Sequence, residues 1–189
     1  MPHDPGMTAS VFGAASALLA LVAMTRVACI DLQCFMIDLD WTELAGWAGL
    51  AAIMAVEGPD AWPGATVTAA AAGGMIWLAA RLRPGRVGQG DVWLFAVLGL
   101  VAGPDHAPFV MSLVIAFALA VHIAYGLARG RGPLGSGIPA ALPAMAALGP
   151  AFTWRVASGI WPGSVPQGHE GFVLIALAGA MLLACGLLA

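Results

Sequence analysis

Two aspartates carry the chemistry this chain could do. Asp31 lies in Ala28-Cys29-Ile30-Asp31-Leu32 and Asp91 in Gly88-Gln89-Gly90-Asp91-Val92, each at the edge of a long apolar run. An ionisable side chain at such a place is costly and is a functional candidate by default. Two carboxylates brought together share a proton, because like charges at close range do not both ionise. One then takes a proton from water while the other donates to a carbonyl oxygen, which is the chemistry of peptide hydrolysis. Helix ends suggest the division of labour. Asp91 stands at a helix start, which favours the anion, and Asp31 near a helix end, which disfavours it. Asp91 is therefore expected to act as base and Asp31 as acid. Gly88 and Gly90 permit close backbone approach around Asp91. The plainer reading is that Asp91 caps a helix and Asp31 meets water or an arginine.

The elements that must position the pair are membrane helices. Of 189 residues, 61% are apolar and 9% charged. A soluble domain carries about 25% charge, and a disordered chain needs low hydrophobicity. Net charge −3 offers no basic patch for nucleic acid. Three cysteines, Cys29, Cys34 and Cys185, make neither a disulfide framework nor a C-x-x-C pair. No metal site and no cofactor are expected. Seven spans are predicted, at approximately Ala9–Ile30, Trp41–Val56, Gly64–Ala80, Val92–Gly103, Ala107–Ala128, Ile138–Trp154 and Gly171–Ala189. The second and fourth are short. The expected fold is an all-α integral membrane bundle of six to seven helices, a single domain over residues 1–189. The opening residues hold no Lys or Arg, so the first span is expected to be retained rather than cleaved as a signal peptide. There is no lysine in the chain. Arg26, Arg81, Arg83, Arg86, Arg129 and Arg131 fall on one side of this topology, and Arg155 alone on the other. Cytoplasmic loops are enriched in basic residues. The N-terminus is thus expected outside, and both aspartates at the cytoplasmic face.

Gly88-Gln89-Gly90-Asp91-Val92, followed by Leu94, resembles the G-x-G-D-V-K-L segment of the type IV prepilin peptidase family. Ile30-Asp31-Leu32 through Ile37-Asp38 is similar to that family's I-D-L-R-x-x-x-I-P-D pattern, and Gly137-Ile138-Pro139 through Gly149 to its I-P-x-G-P span. Together these similarities run over roughly residues 10–155. Two positions depart from the pattern: Trp93 replaces the usual lysine, and Asp38 the usual proline. The resemblance implies a bacterial inner-membrane aspartic endopeptidase with Asp31 and Asp91 catalytic and Gly88 and Gly90 as a hinge. The implied substrate is a prepilin or pseudopilin, cut between a basic leader and an apolar helix. The short chain resembles the peptidase-only branch that serves Flp-type pili, so no methyltransferase activity is expected.

Asp38, Asp40 and Glu43 form an acidic stretch expected to attract the leader's basic residues, over a range screened to about 8 Å at physiological salt. Asp40 and Glu43 also have the spacing of a capping box. His122, inside the fifth span, is read as a core group or a proton relay. The run Ala69–Gly74 is expected to pack a helix tightly, and the seven tryptophans to form an interfacial belt. Two other functions fit the composition: a G-x-G-D protease that cuts other transmembrane helices, or a non-enzymatic transporter subunit or assembly factor.

Overall fold

A computed structural model describes residues 5–82, 87–128, 140–160 and 169–188. All regular structure among them is helical: α1 (Pro5–Cys34), α2 (Leu39–Glu57), α3 (Ala61–Leu82), α4 (Gln89–Ala128), α5 (Ala141–Ile160) and α6 (His169–Leu188). Among the described residues three helices are long and apolar enough to cross a membrane, at Ala9–Cys34, Ala61–Leu82 and Gln89–Ala124. The molecule is a membrane protein built as a helical bundle.

The fourth and fifth predicted spans form one element with a break inside it. Gly103 takes φ 68°, ψ 174° within α4, and Pro104 follows. On the way to that break the chain climbs beside α2, since Gly46 faces Val97 and Gly49 faces Val101. Beyond it the chain runs back, because Val121 packs with Leu142, Ala146 and Leu32 at the end where α1 finishes and α5 begins. α4 is thus two antiparallel runs, which makes seven helical runs among the described residues.

The break is held by an ion pair. Gly103 lies so close to the Arg155 guanidinium that any side chain there would collide with it. Arg155 Nη1 donates to the Val101 carbonyl at 2.9 Å, while Nε and Nη2 donate to Glu57 Oε1 and Oε2 at 2.5 and 2.7 Å. A basic side chain here satisfies a carbonyl at a helix end, as C-terminal caps do. Arg155 was expected in a loop after the sixth span. It is instead buried inside α5, because Glu57 and a freed carbonyl meet it there.

Small residues set the spacing of α3 and α4. Gly99 lies against the Thr68 carbonyl, and Gly73 against Ala96 and the Val92 carbonyl. Such contacts let backbones approach where hydrocarbon supplies no hydrophobic drive. The shared core draws on α1, α2, α4, α5 and α6, with Val27, Ile53, Leu98, Leu148 and Phe152 almost fully enclosed.

Candidate active site

The last turn of α1 carries Asp31, one of three buried polar or charged side chains among the described residues, at 4% exposure. Phe35 N–H bonds to the Asp31 carbonyl at 2.8 Å, and Phe35 itself has φ 53°. That left-handed geometry ends the helix where glycine is usual. The chain then turns through Ile37 into α2.

Asp38 caps α2. Its backbone is extended, and Oδ1 accepts the N–H groups of Asp40 and Trp41 at 3.1 and 3.2 Å. The expected capping box of Asp40 and Glu43 is therefore not the cap. The helix begins two residues sooner, at Leu39, because Asp38 offers a carboxylate in the right place. Asp40 and Glu43 are exposed in the first turns of α2.

α4 opens at the same end. Asp91 Oδ2 accepts the Gly88 N–H at 2.8 Å, folding back over the helix start as the third residue of a capping box does. Gly90 presses against Ile37: a Cβ there would lie 2.6 Å from the Ile37 Cβ. The α1–α2 turn and the start of α4 are thus in direct contact, and the Asp31 and Asp91 carboxylates lie within electrostatic range of one another. Gly88 has open space around it apart from the Asp91 carboxylate.

A third element completes the cluster. The Asp31 Oδ2 accepts the N–H of Ala141, the first residue of α5, at 2.7 Å. The first N–H groups of a helix have no partner within it, and a buried carboxylate needs donors. The residue pattern gave no register for this contact. The signal available was the Gly- and Pro-rich break after Arg131, which had to precede a helix start. The segment Gly137-Ile138-Pro139 and the arginines Arg83, Arg86, Arg129 and Arg131 lie outside the described residues.

Other expected residues stand apart. His122 is half-buried, and its Nδ1 has no hydrogen-bond partner among the described residues. Cys29 and Cys34 are free and exposed. Arg81 stacks on Trp77 with 5.1 Å from guanidinium to ring centroid. No group of three or more His, Cys, Asp or Glu side chains among the described residues could hold a metal ion.

Asp31 is buried and Asp91 half-buried, at the same end of the bundle. No curated protein and no solved structure matches the chain significantly. Residues 17–125, which include both aspartates, the turn after α1 and the Gly-flanked start of α4, match the type IV leader peptidase family, and the chain belongs to that family of proteases.

Proposed function

We propose that the chain is one membrane peptidase domain that removes the basic leader of type IV prepilin-like proteins, using Asp31, Asp91 and a water molecule. The observation that carries this reading is the packing of Gly90, next to Asp91, on Ile37 in the turn that follows Asp31, with all of these residues inside the matched region. Asp31 accepts the Ala141 N–H at 2.7 Å and is also met by the Ala140 N–H, while Asp91 accepts the Gly88 N–H at 2.8 Å. Burial differs, and it is greater at Asp31. Asp31 holds the shared proton and donates it to the scissile carbonyl oxygen. Asp91, at the more open helix start, takes the proton from water. Gly90 acts as the contact point that keeps α4 seated on the α1–α2 turn.

The site faces the cytoplasm of a bacterial inner membrane. Arg26 and Arg81, both exposed, lie toward the end of the bundle that carries the aspartates, as the bias of basic residues to the inner side requires. Asp40 and Glu43 lie at that end also and attract the leader's positive charges.

The test is co-expression with a small pilin-like protein bearing a basic leader, scored by the gel shift of leader removal. Wild type cleaves, and Asp31→Ala and Asp91→Ala each leave the precursor intact. Cleavage by both alanine variants, or its absence with the wild type, overturns the reading.

A further inference from the structure

The seven tryptophans were expected to form an interfacial belt, and Trp47 does not fit it. Gly46 packs on Val97, midway along the run from Asp91 to Gly103. Its neighbour Trp47 is therefore near the middle of that run, and it is 65% exposed. An interfacial belt does not account for a tryptophan at that depth.

Trp47 borders a groove of about 400 Å3 between α2 and α3, floored by α4. Trp93 and Ala96 of α4 and Ala69 and Trp62 of α3 also line it. Thr68 lies beside Gly99 and Gly64 beside Pro104, so Trp62 is near the level of the α4 break. From Trp93 to that level is about 16 Å at 1.5 Å per residue, or three turns of a helix. Alanines on the floor and wall admit a close helix backbone. At the Trp93 end the mouth of the groove is not apolar: Glu43 lines it, and Asp40 is one turn earlier on α2.

We infer that this groove seats the apolar helix of the substrate, with the positive charges of its leader at Glu43 and Asp40. The inference rests on the proposed leader-peptidase activity and extends it to the part of the substrate that is not cut. The argument is charge complementarity along one axis. The occupant must be apolar for about three turns and positive just beyond its cytoplasmic end, which is the order of segments in a leader followed by a membrane helix. The floor helix also carries Asp91 in its first turn. A helix seated against Trp93 therefore ends within one turn of the level of that carboxylate. Helix-in-groove recognition of this kind reads side chains at one face of the bound helix.

The experiment uses the full chain in membranes with a pilin-like substrate of basic leader and apolar helix. A photo-reactive phenylalanine analogue replaces Trp47 or, as a control, Val67, which is exposed on α3 outside the groove. The expected result is a cross-link from position 47 to the apolar helix of the substrate and none from position 67. In a cleavage assay, Trp47→Ala raises KM about tenfold, the size of a modest aromatic anchor, with kcat changed less than about twofold, while Val67→Ala matches the wild type. Labelling of phospholipid alone from position 47, or an unchanged KM in Trp47→Ala, overturns the groove assignment while cleavage by the wild type leaves the peptidase reading standing. No cleavage by the wild type removes both.

Discussion

The carboxylate of Asp31 and the backbone N–H of Ala141, 110 residues apart in sequence, meet at 2.7 Å in the interior of the bundle. The start of α5 thus holds one member of the aspartate pair, while the start of α4 supplies the other. Each carboxylate accepts a backbone N–H at a helix start, and Ile37 in the turn after α1 packs on Gly90.

Gly90 is the residue on which that arrangement closes. Gly90→Val places a branched side chain where Ile37 already is, so α4 must move away from the α1–α2 turn. The expected outcome is a loss of cleavage of at least about tenfold, equivalent to roughly 1.4 kcal/mol. Membrane insertion should be retained, as read by protease protection of the flanking segments. Gly90→Val with Ile37→Ala should recover part of the loss, since the smaller residue vacates the contact.

The cap of α2 separates two roles of one carboxylate. Asp38→Asn keeps an acceptor at Oδ1 and removes the charge; Asp38→Ala removes both. Thermal unfolding in detergent should show Asp38→Ala less stable by about 1 kcal/mol and Asp38→Asn close to wild type. Processing of a basic leader should weaken in Asp38→Asn, and processing of a neutralised leader should not. Equal weakening of both leaders would assign Asp38 to the cap alone.

At the opposite end, Glu57→Gln leaves the buried Arg155 guanidinium without its counter-charge. Removing one partner of a buried pair costs about 3–5 kcal/mol; because the Glu57 side chain is 35% exposed, the lower part of that range is expected. The double variant Glu57→Gln with Arg155→Met should unfold at a higher temperature than Glu57→Gln alone. Additive losses would show that the two side chains act independently.

Gly103→Ala tests the break in α4. The position has φ 68°, and its missing side chain leaves room for Arg155. With ψ 174° this backbone lies in a region open essentially to glycine alone, which costs another residue about 1–3 kcal/mol, and displacement of the guanidinium adds to it. A lower unfolding temperature in detergent is expected, with Gly64→Ala, which faces only the Pro104 ring, less affected.

Asp31 and Asp91 stand out in the sequence because a charge at the edge of an apolar run is conspicuous in a chain with so few charges. The break in α4 was legible as well, since Gly103-Pro104 interrupts an apolar stretch that is otherwise long enough for one helix. What was not legible is contact made by backbone. Nothing in the residue types around Ala141 marks its N–H as the partner of Asp31, because register between distant helices is set by packing. Arg155 was misplaced in a loop because its partner Glu57 is 98 residues away, and hydropathy alone does not report that a charge is neutralised. The cap on α2 was not singled out because Asp40 and Glu43 also fit the spacing of a capping box, whereas Asp38 caps through a single carboxylate oxygen.

The central claim is that Asp31 and Asp91 act as one unit on one water molecule. Cleavage rates of a leader-bearing pilin-like substrate by Asp31→Asn, Asp91→Asn and the double variant, in membranes and at matched protein levels, test it most directly. The account predicts that each single variant loses roughly 10³-fold or more and that the double variant is no worse than either, as for residues that work together. A single variant that keeps most of its activity, or losses that multiply in the double variant, would contradict it.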